Sequence, residues 1–361
     1  MKYPAVHYHD YLKLDQILDA QYPKSDEYKK PAHDEMLFIT VHQTYEIWFK
    51  QVLFELDSTL EIFQKNHISE SELGICSARL ERIVAILKQI TGQIDVLETM
   101  TPLDFLDFRD MLYPASGFQS YQWRLMETKL GLRIEDRLAF NQAPFYKALS
   151  PSQQTEIMDV LNGPSLFDSV EKWLERTPFL QADNFNWWEK YKEAVNNMFG
   201  DDIQVVKENS RLTEEEKQKT IAGLEMALKS FDALFDEKVY DELRSQGLYR
   251  LSFKALHAAI LIPLYRHQPI LQTPYRILRA LLDIDEAMTT WRSRHALMAL
   301  RMLGQKIGTG GSSGHKYLSD AASKHKIFGD FFNLTTFFIP SSQVPALPES
   351  IADLMNFKTK S

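Results

Sequence analysis

The sequence predicts an all-α fold of long amphipathic helices with no significant sheet, on three observations. Apolar residues recur at a 3.6-residue period over long stretches. Glycine and proline are scarce, 14 and 15 in 361 residues, and the first glycine is Gly74. Helix-capping signals recur along the chain.

Taken in order, Asp34 offers an N-cap for a first long helix carrying Leu37, Phe38, Val41, Tyr45, Phe49, Val52, Leu56, Leu60 and Phe63 on one side. The capping box Ser69-x-x-Glu72 opens a second, with Leu80, Ile83, Leu87, Ile90, Ile94 and Leu97 as its stripe, which must stop near Thr101. Thr101-Pro102 supplies N-cap and N1 for a short helix from Pro102 to Leu112, and the Pro114-Ala115-Ser116-Gly117 turn precedes a helical run to Gly131. Further starts are read at Ser150-Pro151, Ser165-x-x-Asp168, Thr213-x-x-Glu216 and Thr273-Pro274, the last opening a helix to Leu303, with Gly163, Gly200, Gly247 and Gly304 as stops. The charged stretch Glu214 to Lys229 is expected to be a solvated helix face. With no linker or repeat visible, residues 1–361 are expected to form a single domain: an N-terminal arm (1–33), a core from 34–131 and 274–340, a helical elaboration (140–269) and an irregular tail (341–361).

Apolar residues at 44% and charged residues at 25% fit an ordinary folded chain. The net charge is −8, and no basic run exceeds Lys29-Lys30, so phosphate-driven nucleic-acid binding has no electrostatic footing. The N-terminus lacks the apolar core of a signal peptide, and the most apolar stretch, Ala255 to Tyr265, is short and broken by His257 and Pro263. A cytoplasmic protein without membrane association is the expectation. Cys76, the only cysteine, excludes internal disulfides, thiolate zinc sites and iron–sulfur clusters, so any metal must be held by His, carboxylate or a cofactor ring.

Two histidines stand in awkward places. At about 100° per residue, His42 falls beside Phe38, Phe49 and Leu60, and His295 falls among Ile277, Ile284, Met288, Trp291 and Met302, so both point inward. Each could be a core histidine satisfied by one hydrogen bond; two together, without thiolates, could instead serve a haem, one as axial ligand and one as distal partner. No Glu-x-x-His pair supports a di-iron bundle, and His-Glu-x-x-His is absent. Arg109 shares a face with Phe105, Phe108 and Leu112, where it either snorkels, pairs with a carboxylate of this chain, or clamps a substrate carboxylate. Five glycines fall between Gly304 and Gly314. They form a flexible connector, or a flap whose N–H groups and Thr309 hydroxyl close over a polar ligand end.

Three long segments, Pro31 to Gln51 (PAHDEMLFITVHQTYEIWFKQ), Asp104 to Arg124 (DFLDFRDMLYPASGFQSYQWR) and Trp291 to Gly314 (WRSRHALMALRMLGQKIGTGGSSG), closely resemble the tryptophan 2,3-dioxygenase family. With Tyr8 to Gln21 the resemblance runs to about Pro340 and is weakest over Phe140 to Pro269. It implies an all-helical enzyme carrying haem b, one per subunit, in a homotetramer. The reaction it implies joins L-tryptophan and both atoms of O2 into N-formyl-L-kynurenine, the first step of tryptophan degradation by the kynurenine route. It further implies His295 as proximal iron ligand, His42 as the distal residue that meets the indole N–H, and Phe38, Ile39, Thr40, Val41 and Phe105 as substrate contacts beside it. Arg109 would hold the carboxylate, Thr309 the amino-acid end and Ser116 the distal face, while Tyr8 and Tyr11 would reach the neighbouring subunit's site. Because both oxygen atoms enter the product no net electrons are needed, in keeping with the lack of nucleotide or flavin motifs. A haem oxygenase or peroxygenase acting on a modified tryptophan or tyrosine is the alternative enzyme, although a changed substrate should alter Arg109, Thr309 or Phe38-x-x-x-His42. A non-catalytic helical haem-binding protein is the other alternative.

Overall fold

The computed structural model describes residues 3–138, 144–177, 181–182, 185–304, 306 and 314–355. These are helical apart from turns, connecting segments and one two-residue hairpin, Gln181–Ala182 with Phe185–Asn186, so the all-α expectation is met. Among the described residues no helix is long and apolar enough to cross a membrane.

The chain divides into two compact units, one formed by 1–56, 82–163 and 286–326, the other by 57–81, 164–285 and 327–361. Helix α1 (Glu35–Phe63), α2 (Glu70–Leu97) and, later in the chain, Pro269–Leu303 each supply residues to both. In the first unit, the stripe Val41, Tyr45, Phe49, Val52 and Leu56 is buried as its period requires, together with Ile83, Leu87, Ile90, Ile94 and Leu97 from α2. Helix α3 (Pro102–Arg109) starts at the expected box, Thr101 accepting from Asp104 N and the Asp104 carboxylate accepting from Thr101 N at 3.0 Å. It ends three residues earlier than expected, because Asp110–Leu112 tighten into a 3₁₀ turn. Helix α4 (Tyr121–Leu130) is capped by Ser120 and stopped by Gly131 at φ +115°. The long Pro269–Leu303 helix is α5 and Gly314–Lys324 is α6. Arg294 of α5 bonds Asp95 of α2 at 2.6 Å and Glu98 at 3.4 Å.

Two helix boundaries read from single residues fail in the second unit, both because packing outweighs local propensity. Gly200 does not stop a helix: Trp187–Glu208 runs through it, since Trp187, Tyr191, Val195 and Phe199 form one buried stripe and Gly200 lies on the exposed side, where it costs only about 1 kcal/mol. Thr273-Pro274 does not open α5, which begins at Pro269. Pro274 lies in its second turn and forfeits one backbone bond, while Leu271, Ile277, Leu278 and Leu281 continue the buried stripe across it. Within the stretch expected to be irregular, Glu349–Leu354 form a short helix after Pro348, with Ile351 and Met355 buried and the Met355 carbonyl accepting from Ile270 N. The boxes at Ser165 and Thr213 stand as read, and Glu214–Ser230 buries none of its residues.

Candidate functional site

One cavity of about 310 Å³ lies wholly within the first unit, a size suited to a small organic ligand. Its walls come from α1 (Phe38, His42, Tyr45, Glu46, Phe49), α3 (Phe105, Arg109), the Ser116–Ser120 turn, α4, the end of α5 (Trp291, Arg292, His295) and α6. The sequence places His42 and His295 far apart, and the fold brings both to this cavity.

His42 sits in an aromatic setting, its ring centroid 4.0 Å from that of Phe38, which in turn stacks on Phe105 at 5.8 Å. The Phe38 carbonyl lies 2.7 Å from His42 Nδ1. A carbonyl only accepts, so Nδ1 carries the proton and Nε2 keeps its lone pair. Burial lowers the basicity of this imidazole, and the Phe38 bond and the Glu46 charge offset that only in part. His42 is therefore a neutral acceptor at Nε2, suited to an N–H donor.

His295 stands one turn after Trp291 on α5, with ring centroids 5.0 Å apart, and Trp291 packs on Trp123 at 4.4 Å. Burial, with the nearby His42 adding to it, pushes its pKa down to about 4. Its Nδ1 is buried and has no hydrogen-bond partner among the described residues. A neutral imidazole facing a cavity lined by flat rings is a donor set suited to the iron of a planar macrocycle.

Arg109 lines the cavity with 14% of its side chain exposed, and the carboxylate of Asp110, 3.9 Å away, is almost fully exposed. Ser116 also reaches the wall. Ile39, Thr40 and Val41 do not: the helical period turns them off the face that carries Phe38 and His42, leaving Thr40 exposed and Val41 in the core. Tyr8 and Tyr11, on the helix Tyr8–Leu12, are 73% and 74% exposed and not on the wall. Thr309 lies outside the described residues.

Sequence reading missed a buried ionic hub in the same wall. The Glu127 carboxylate accepts from Arg292 Nη2 at 2.8 Å, from Arg124 and Arg137 Nη1 at 3.0 Å each, and from Trp123 Nε1 at 3.0 Å. Burial alone would raise its carboxyl, but Arg124, the His325 bond, Arg292 and Arg137 outweigh burial and hold it well below the ordinary range. In this hub three buried guanidiniums meet one carboxylate. The surplus positive charge beside the cavity suits a ligand carrying carboxylates. The sequence carries little signal for it, because Arg124 and Glu127 lie on a helix, YQWRLMETKL, half of whose residues are polar. The depressed carboxyl fixes a stability prediction. Glu127→Gln should lose about 3–5 kcal/mol near neutral pH, the usual effect of breaking a buried pair. The parent's advantage should persist above the ordinary carboxylate range and fade as pH falls through the depressed pKa, where Glu127 itself protonates. Urea unfolding of both proteins across acidic pH measures it.

The fold and cavity thus define an all-α protein with a cavity that joins two neutral imidazoles, an aromatic cleft and an arginine. Residues 2–338 match the family described as tryptophan 2,3-dioxygenase. Proteins named tryptophan 2,3-dioxygenase are similar over almost the whole chain: one from Bdellovibrio bacteriovorus is 76% identical, covering 99% of each chain. Another, from Alteromonas mediterranea, is 46% identical over 97% of each, and one from Dictyostelium discoideum is 43% identical over 98% of this chain and 88% of its own. The chain belongs to the tryptophan 2,3-dioxygenase family.

Proposed function

We propose that this chain is a haem-dependent dioxygenase that opens the indole ring of L-tryptophan with O2 to give N-formyl-L-kynurenine. The observation that carries the reading is the meeting of His42, His295 and Arg109 on one aromatic cavity. The cofactor is haem b, one per subunit. His295 would hold its iron, and the positive surplus at Arg124 and Arg292 would seat its carboxylates. Bound there, haem supplies the binding and activation of O2.

The remaining work belongs to the chain. Phe38 and Phe105 hold the indole plane, His42 Nε2 accepts the indole N–H, and Arg109 takes the α-carboxylate as a charge-assisted pair. Ser116, on the cavity wall, would border the bound substrate, and Thr309 would bind its amino-acid end. The assembly is a homotetramer whose arms, residues 1–33, reach the neighbouring site. Support comes from the exposure of Tyr3, Val6, Tyr8, Tyr11 and Leu18, apolar surface that a second copy would cover. The protein acts in the cytoplasm in tryptophan degradation.

Turnover of L-tryptophan by the haem-loaded protein, with the product identified by mass spectrometry, tests the reading; an inert holoenzyme overturns it. The same assay resolves the role of His42. As a positioning group its loss in His42→Ala should remove roughly 1–3 kcal/mol of transition-state stabilisation. The variant should then still oxidise 1-methyl-L-tryptophan, which has no indole N–H. A parent inert toward that analogue, with the variant at background on L-tryptophan, would assign His42 as an obligatory base.

A further inference from the structure

Glu46 lies one turn beyond His42 on the cavity face of α1, and no step described above uses it. Its carboxylate joins α1 to the segment that forms another part of the wall. Oε1 accepts from the Ser120 hydroxyl at 2.7 Å and Oε2 from Gln122 Nε2 at 2.9 Å, while the same amide donates to the Glu46 carbonyl at 2.7 Å. Ser120 is committed twice, because its oxygen also accepts from Trp123 N at 3.3 Å as the N-cap of α4. The Ser116–Ser120 turn, which puts Ser116, Gly117 and Phe118 on the wall, therefore ends at a hydroxyl aligned by Glu46. Two hydrogen bonds of the turn are local, Ser116 N to Gln119 Oε1 at 3.2 Å and Phe118 N to Ser116 Oγ at 3.4 Å, and the Phe118 ring packs on Tyr317 of α6 at 4.9 Å, whereas the Glu46 carboxylate ties the end of the turn to α1.

We propose that Glu46 is a positioning residue that sets the separation between His42 and the Ser116–Ser120 turn, and with it the fit of the substrate's ring system. The inference rests on reading this cavity as the L-tryptophan site. A carboxylate suits the place because both of its oxygens accept and both neighbours donate. Glutamine has the same shape, but its N–H either faces the Gln122 amide, a donor, or turns the Ser120 hydroxyl from donor to acceptor, and the charge-assisted bonds are lost in both settings. The register of the turn then relaxes while the helices, held by their own buried stripes, stay in place.

Steady-state kinetics of the holoenzyme test this with Glu46→Gln, Gln122→Leu and the double variant. Haem content and the absorption spectrum should match the parent in all three. Each single variant should raise KM for L-tryptophan about tenfold, the scale of one charge-assisted hydrogen bond, with kcat changed far less. Because Gln122 holds the carboxylate that aligns Ser120, both changes act through Glu46, and the double variant should rise no further than the larger single. An unchanged KM in either single variant, a multiplicative rise in the double, or loss of haem in place of a KM effect would overturn the role. A parent inert toward L-tryptophan fails the proposed function, and this inference with it. An active parent with unaffected variants fails Glu46 alone.

Discussion

His295→Ala should give a chain that folds but retains little haem. The substitution removes one ring from an otherwise intact helix and replaces it with the best helix former, so far-UV circular dichroism should be unchanged. On the proposed reading, the variant would lose the nitrogen ligand of the iron, an imidazole held on a rigid element beside a packed aromatic wall of Trp291 and Trp123, a setting that fixes the ring before any iron arrives. The cleft and the Arg124–Arg292 charge remain, so residual haem should bind weakly and without a protein nitrogen ligand. Added imidazole, which fits the space vacated by the side chain, should restore much of the parent spectrum. Full loading with an unchanged ferrous spectrum and no added imidazole would remove His295 from the iron.

Arg109→Ala should be the second large effect. An aromatic cleft recognises an indole but cannot by itself select an amino acid, and a largely buried guanidinium on the wall can. Breaking a desolvated charge pair is worth about 2–5 kcal/mol, which corresponds to roughly thirtyfold to several thousandfold in kcat/KM for L-tryptophan. Fold stability should barely change, because Arg109 sits in the last turn of α3 and the capping box at Thr101 is untouched. The selective readout is tryptamine, which has no carboxylate. Its already low turnover should be unaffected by the substitution, while the parent's preference for L-tryptophan over it collapses. A variant that keeps the parent's kcat/KM for L-tryptophan would place the clamp elsewhere.

The readable part of the fold was whatever depends on near neighbours in sequence. Helix starts at Thr101, Ser165 and Thr213 are local hydrogen-bond devices, and the structure forms them as read. Gly200 and Pro274 misled because a single unfavourable residue is outweighed by a buried stripe running through it. The site divides the same way. His42, His295 and Arg109 were visible as polar residues in apolar stripes, and all three reach the cavity. Ile39, Thr40 and Val41 lie inside the continuous motif that carries Phe38 and His42, but a helix presents only some of any run to one face. Glu127 was out of reach because its importance lies in meeting Arg292 and His325, partners distant in sequence that only the fold assembles. Glu46 was nearer to view, since it extends the Phe38 and His42 spacing by one more turn, but its partners Ser120 and Gln122 were not.

The measurement that bears most directly on the account is a titration of the anaerobic ferrous holoenzyme with L-tryptophan, followed by haem absorption. If the cavity between His42 and His295 receives the substrate, the haem spectrum must change saturably, with a midpoint near the KM for turnover, and the change must weaken strongly in Arg109→Ala. A spectrum indifferent to L-tryptophan in an enzyme that nevertheless turns it over would show that substrate and haem do not meet in this cavity.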